Sequence, residues 1–222
     1  MKKAKKISML LISISLIMIF STNVYASSKI SKGKVKALYD TFLSKKEVKI
    51  GNSYRNTIIL ENAYFKTVDI DGNGIKELII KERSSSYGVC NPVAYIFTIK
   101  NRKVAYAGST CIKQDYTNVV QISKRYKSIY SCYPVAFYTP TYFYTLKKGK
   151  LRTKKFFYEQ YGYGRDTYGN IPHEKWCKSE GYFINKKKVS ENKYQKEYQK
   201  YMRSLKKYFL AVNTMENRKK QL

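Results

Sequence analysis

The chain has 222 residues, with 44 Lys+Arg against 15 Asp+Glu, a formal charge of +29, four Cys and one His. That length allows one domain with a real core. A hydrophobic fraction of 43% and an aromatic fraction of 15% exclude a disordered chain despite the charge. A single His excludes multi-histidine zinc sites and leaves one candidate for histidine-based catalysis.

The first 26 residues read as an address. Lys2, Lys3, Lys5 and Lys6 precede an apolar run of 14 residues, Ile7 to Phe20. Val24 and Ala26 then supply small side chains at −3 and −1 of a cleavage point. This order describes a secretory signal peptide over residues 1–26. The run is shorter than the roughly 20 residues that span a bilayer. No Cys follows it for lipid attachment, and no later segment is apolar enough to cross a membrane. The expectation is a secreted, extracellular protein of one domain, residues 27–222, with no transmembrane segment after cleavage. Cleavage removes four lysines and no acids, which lowers the charge from +29 to +25.

Along the secreted part, residues 34–46 read as a helix. Val35, Leu38, Tyr39, Phe42 and Leu43 form one apolar stripe at i, i+3, i+4, i+7 and i+8. Residues 57–189 read as a β-rich core: Val, Ile, Tyr, Phe and Thr dominate, and turn residues recur every 8–15 positions. Three segments share one pattern, 97–104, 144–151 and 182–189. Each runs from aromatic and aliphatic residues through a polar Asn, Lys or Gly turn to Lys and an aliphatic residue, as a β-hairpin does. Pro134 and Pro140 mark strand edges. Residues 160–172, rich in Gly and Tyr, read as a long loop. Residues 190–222 read as a C-terminal helical segment. Ser190 is its N-cap, Tyr194, Tyr198, Tyr201, Met202, Leu205 and Phe209 keep helical spacing, and Thr214 is a second N-cap. The fold class is α+β: a mostly antiparallel β meander, as a partial barrel or blade-like hairpins, with an N-terminal helix and a basic C-terminal helix.

One motif carries chemistry. Residues 69–77 read Asp-Ile-Asp-Gly-Asn-Gly-Ile-Lys-Glu. Oxygen-bearing side chains fall at positions 1, 3, 5 and 9, with Gly at position 6. Ca²⁺ is a hard cation that takes 6–8 oxygens at about 2.3–2.6 Å. Alternate residues of a tight loop aim their side chains at one centre, and Gly74 permits the bend. Asp69, Asp71, Asn73 and Glu77 are the side-chain candidates, with the Ile75 carbonyl as a fifth. Position 12 is Ile80, so the loop lacks the bidentate Glu of a full EF-hand. Ala63–Val68 and Leu78–Lys81 flank it as strands. A weak, structural Ca²⁺ site is expected, because Lys76 and the surrounding positive charge oppose a divalent ion.

Residues 65–80 resemble the calcium loop of FG-GAP/VCBS-type repeats and EF-hand-like loops. They are more similar to the single such loop in a group of uncharacterised secreted proteins of Gram-positive bacteria. In that group a signal peptide and a short helix precede the loop. Tyr- and Lys-rich hairpins follow it, as does a C-terminal helix with a stretch like Glu216-Asn217-Arg218-Lys219-Lys220. The resemblance implies calcium binding and export.

Export makes disulfides possible between Cys90, Cys111, Cys132 and Cys177. Four cysteines allow three connectivities. A hairpin between Cys90 and Cys111 favours that pair, which leaves Cys132 with Cys177; buried thiols are the alternative. His173 and Cys177 stand close in sequence, but a Cys–His nucleophile needs an activated thiolate. Glu61, Glu82, Asp115, Glu159 and Glu174 supply carboxylates without a spacing that selects a glycosidase pair. Tyr161, Tyr163, Arg165, Tyr168 and Trp176 are the expected binding surface. The positive charge suits an anionic cell-wall polymer or polysaccharide, or a partner protein. No specific nucleic-acid motif is present. The expected function is an exported, non-catalytic calcium-binding module associated with the cell surface. The alternative is a secreted hydrolase of cell-wall or host polysaccharide.

Overall fold

The structure, a computed structural model, describes residues 30–51, 57–83, 93–111, 118–132, 140–160 and 181–222. The chain falls into two units, Met1–Lys34 and Val35–Leu222. Of the first, only residues 30–34 are described. There the Lys34 N–H donates to Ser31 Oγ at 3.3 Å as a helix begins. The signal-peptide segment lies outside the described residues.

The elements run α1 (Lys32–Leu43), β1 (Glu47–Lys49), β2 (Thr57–Ile59), β3 (Tyr64–Val68), β4 (Glu77–Lys81), β5 (Val93–Lys100) and β6 (Lys103–Cys111). They continue with β7 (Val119–Ser123), β8 (Ser128–Cys132), β9 (Thr141–Lys147), β10 (Lys150–Gln160), β11 (Gly181–Ile184) and β12 (Lys187–Val189). The chain closes with α2 (Glu191–Met202), β13 (Leu205–Phe209), β14 (Ala211–Val212) and α3 (Met215–Gln221). The pairings are antiparallel. The strands form a β1-β2 ribbon, a five-stranded sheet ordered β14-β3-β4-β5-β6 and a seven-stranded sheet ordered β12-β11-β10-β9-β8-β7-β13. Both large sheets are open meanders, each completed at one edge by a strand from the C-terminal segment. The fold is the α+β meander that the residue pattern predicts.

The three repeated segments are hairpins, and their turns explain the pattern. Asn101-Arg102, Lys148-Gly149 and Asn185-Lys186 all take positive φ at both central residues, between 51° and 71°. That is the type I′ turn, whose twist matches the strands it joins. Asn and Gly enter this region at low cost, and each turn contains one of them.

The two large sheets share a core. Val68, Ile79, Ala94, Ile96 and Ala107 from one pack with Val120, Ile122, Ile129 and Leu146 from the other. Strand alternation sends the opposite face of β8–β11 to a second cluster, where Tyr130, Phe143, Phe157 and Ile184 meet Tyr194, Tyr198, Tyr201 and Met202 of α2. Phe157 stands edge-on to Tyr194, Tyr198 and Tyr201 at 5.5–5.8 Å. The helix α1 buries Val35, Tyr39 and Leu43, and its Phe42 ring lies 4.8 Å from Phe97 of β5.

The C-terminal segment departs from expectation. Helical spacing predicts one helix through Leu205 and Phe209, yet α2 ends at Met202 and residues 205–209 form β13 along β7. Ser204 terminates the helix: its hydroxyl lies 2.6 Å from the Tyr201 carbonyl and 2.7 Å from Ser123 Oγ of β7. Leu205 packs on the same cluster as the α2 aromatics. An apolar residue four positions beyond Tyr201 therefore satisfies the core from a strand as well as from a helix. Both predicted caps are present, with Ser190 Oγ accepting from Lys193 N and Thr214 Oγ1 from Asn217 N. Asn213 ties the C-terminal segment to the end of α1 and to the residue after β2: its buried Nδ2 donates to the carbonyls of Leu43 and Leu60, both at 2.8 Å.

Candidate metal centre

The β3–β4 connection forms the site. Val68 pairs with Glu77 in the ladder, so the chain leaves and re-enters the sheet at one point. The intervening loop is tight because Gly72 and Gly74 sit at φ 72° and 86°, where a side chain is strained. Loop amides then fix the carboxylates. Asp69 Oδ1 accepts from the N–H groups of Gly72 (2.7 Å) and Asn73 (3.2 Å), and Oδ2 accepts from Gly74 (3.0 Å). Asp71 Oδ1 accepts from Asn73 N–H at 3.1 Å, and Oδ2 accepts from its Nδ2 at 3.1 Å. Asn73 Oδ1 accepts from Ile75 N–H at 2.7 Å, which leaves one lone pair for a cation.

Glu77 enters from the strand. It is fully buried, with Oε2 accepting from Ile70 N–H at 2.8 Å and Oε1 from the Thr98 hydroxyl at 3.3 Å. One oxygen from each of Asp69, Asp71 and Glu77 lies within 4.8 Å of the others. Three carboxylates at that separation repel one another. Burial, with Asp71 and Asp69 adding to it, pushes the Glu77 carboxyl up from 4.5 to about 8. Partial burial also raises Asp71. The arrangement lowers its own repulsion only by taking a proton or a cation, so this cluster can hold a metal ion. Ile80, at the twelfth loop position, is fully buried in the β4 core. The ninth-position Glu77 closes the site instead.

Three neighbours were not legible in the loop sequence. The buried Tyr39 hydroxyl of α1 donates to the Lys76 carbonyl at 2.8 Å and braces the loop exit. Thr98 reaches Glu77 from β5. Lys127, in the β7–β8 turn of the other sheet, packs on Gly72: a Cβ built there would stand 3.0 Å from its Cε and 3.2 Å from its Nζ. The Lys127 charge favours ionised Asp71. No local pattern marks these residues, since each arrives from a distant element.

Of the cysteines, Cys132 is buried and Cys111 is half-buried at the end of β6, and no disulfide joins any of the described residues. Cys90 and Cys177 lie outside the described residues, as do the pairings they would make. His173 and the surface of Tyr161, Tyr163, Arg165, Tyr168 and Trp176 lie outside them too. Elsewhere the Tyr182 hydroxyl interacts with both Glu191 and Glu159, and the bond to Glu191, then lost hydration, then the Glu159 charge push its phenol up to about 12. Among the described residues, no helix is long and apolar enough to cross a membrane. No family model matches the chain, and no curated protein or solved structure is significantly similar to it.

Proposed function

We propose that the protein is an exported, non-catalytic calcium-binding module, held at the cell surface, that engages an anionic extracellular polymer or a partner protein. One observation carries the calcium reading: an oxygen from each of Asp69, Asp71 and Glu77 lies within 4.8 Å of the others, on carboxylates that loop N–H groups already orient. The donor set is oxygen alone, which suits a hard cation, and a tight flexible loop suits Ca²⁺ better than the rigid octahedron of Mg²⁺. Two cations, Lys76 within the loop and Lys127 beside it, oppose the ion. The affinity therefore falls in the weak extracellular range, about 10⁻⁴–10⁻³ M. The ion would staple β3 to β4 rather than act on a substrate. Export rests on the basic and apolar start of the chain, and polymer binding on the charge of +25 that remains after cleavage, four lysines fewer than the +29 of the full chain.

The test is thermal unfolding of the protein in chelator, in about 10 mM calcium and in about 10 mM magnesium. With a dissociation constant of about 10⁻⁴–10⁻³ M this calcium is roughly a ten- to hundredfold excess, and an ion that binds only the folded state then contributes about 1.4–2.7 kcal/mol. For this chain length that raises Tm by about 3–10 °C. Asp71→Ala should lose the rise while keeping the fold. A wild-type protein indifferent to calcium, or a variant that still responds, overturns the reading. The alternative is a secreted hydrolase of cell-wall or host polysaccharide, for which Glu159 and Glu191, both interacting with Tyr182, would be the acids to test. Turnover of a cell-wall glycan that Glu159→Gln abolishes would replace the binding reading.

A further inference from the structure

Antiparallel meanders send alternate turns to the same end of a sheet, and here that end carries the acidic loop. Thr98 of β5, which donates to Glu77, is followed by the β5–β6 turn with Lys100, Arg102 and Lys103. The β9–β10 turn, with Lys147, Lys148 and Lys150, packs directly on this strand end. A Cβ built on its Gly149 would lie 3.6 Å from Thr98 Cγ2 and 3.8 Å from Lys100 Cδ. The β7–β8 turn carries Lys124, Arg125 and Lys127, and Lys127 lies against Gly72 of the acidic loop. Each turn thus holds three cations and no acid. All nine cationic residues are exposed. Neighbouring lysines within a Debye length of about 8 Å repel, and an anionic ligand with repeated charges relieves that repulsion.

The composition of the turns narrows the ligand. Seven of the nine cations are lysines, which act as compact point charges rather than as planar forks for carboxylates. The one aromatic residue in the three turns is Tyr126. Its ring is stacked on Tyr201 at 4.0 Å and 11°, and the Arg125 guanidinium lies 5.6 Å from its centroid. The single ring in the turns is therefore already stacked by a neighbour, and the turns offer no series of rings on which successive bases or sugars could stack. Recognition falls to backbone charge alone.

We propose that these three turns form one cationic platform that binds a linear phosphate polymer through its repeated charges, with the loop ion at its centre. The proposal rests on the anionic-polymer reading above and gives it a place and a chemistry. Without calcium the loop still carries carboxylate charge, which repels the polymer. With calcium the loop no longer opposes it, and the ion offers a hard centre to phosphate oxygens.

The probe is labelled long-chain inorganic polyphosphate, titrated by fluorescence anisotropy with the full protein, with and without about 1 mM calcium. Polygalacturonate serves as a carboxylate competitor. Neutralising about six phosphates gives a slope near −4 for log K against log salt, by the value of about 0.7 per charge for flexible strands. Raising salt fourfold then weakens binding by a few hundredfold. Reversing three charges in two of the turns (Lys103→Glu, Lys147→Glu, Lys150→Glu) avoids the positive-φ positions. It should weaken binding at least tenfold and flatten the slope by about two. Reversing three exposed lysines of α2 (Lys193→Glu, Lys196→Glu, Lys200→Glu) makes the same change in net charge and should weaken it less than threefold. Equal losses in the two variants, or equal competition by polygalacturonate, overturn the platform while polymer binding stands. Failure of the wild type to bind either polymer overturns the anionic-polymer reading itself. Binding that is tighter in chelator than in calcium overturns the role given to the loop.

Discussion

Removing the charge of Glu77 without changing its shape should make the protein less sensitive to pH. Glu77 is fully buried, and its carboxyl is pushed up from 4.5 to about 8, chiefly by burial and then by Asp71 and Asp69. The folded state therefore holds this proton more tightly than the unfolded chain does. In the absence of a cation, the stability tied to that proton is fully present below about pH 4.5. It is lost as pH rises through about 8. The span from 4.5 to about 8, at about 1.4 kcal/mol per tenfold, sets an upper figure of about 5 kcal/mol. Relaxation of the site lowers it; even about 2 kcal/mol moves Tm by about 4–8 °C. The assay is Tm against pH from 5 to 9 in chelator for wild type and Glu77→Gln. Wild type should fall across this window and the variant should fall much less, so the curves converge at low pH and separate at high pH. Calcium at pH 8 should restore the wild type and leave the variant unchanged. Parallel curves would refute the argument, because they would mean that Glu77 ionises as easily folded as unfolded.

Two further outcomes follow from particular contacts and a third from the start of the chain. Asn213→Ala leaves the buried carbonyls of Leu43 and Leu60 without their donor; it should cost about 2–4 kcal/mol, read as a lower denaturant midpoint at unchanged m. Tyr39→Phe removes the bond to the Lys76 carbonyl and should cost about 1 kcal/mol. It should keep a calcium-dependent Tm rise, since the phenol is no ligand. Intact mass of the protein recovered from culture medium should place its first residue at Ser27. A mass that retains residues 1–26 would contradict cleavage after Ala26.

The parts of the fold that the sequence revealed are those set by neighbouring residues. Asn101, Gly149 and Asn185 stand where type I′ turns need positive φ, so the three hairpins show as a repeat. Ser190 and Thr214 cap helices through their own side chains. Asp69, Asp71, Asn73 and Glu77 are legible as ligands because a loop of nine residues contains the whole pattern. What stayed hidden depends on distant partners. Leu205–Phe209 has helical spacing, yet the open edge of β7 and the Ser204–Ser123 contact make it a strand. Thr98 and Lys127 reach the loop from β5 and from the other sheet, and neither carries a local mark. The gathering of three basic turns around the acidic loop is likewise a property of the meander. In the sequence they are separate lysine clusters 20 or more residues apart.

If the loop over Asp69–Glu77 holds calcium, amide NMR shows it at the residues concerned. In a calcium titration at pH 7.5, the Gly72 and Gly74 amides, now bonded to Asp69, should shift and saturate together with the Ile70 amide bonded to Glu77. One dissociation constant of about 10⁻⁴–10⁻³ M should describe all three, while amides of α2 stay in place. Loop amides that stay unmoved while the rest of the spectrum drifts with ionic strength would contradict the account.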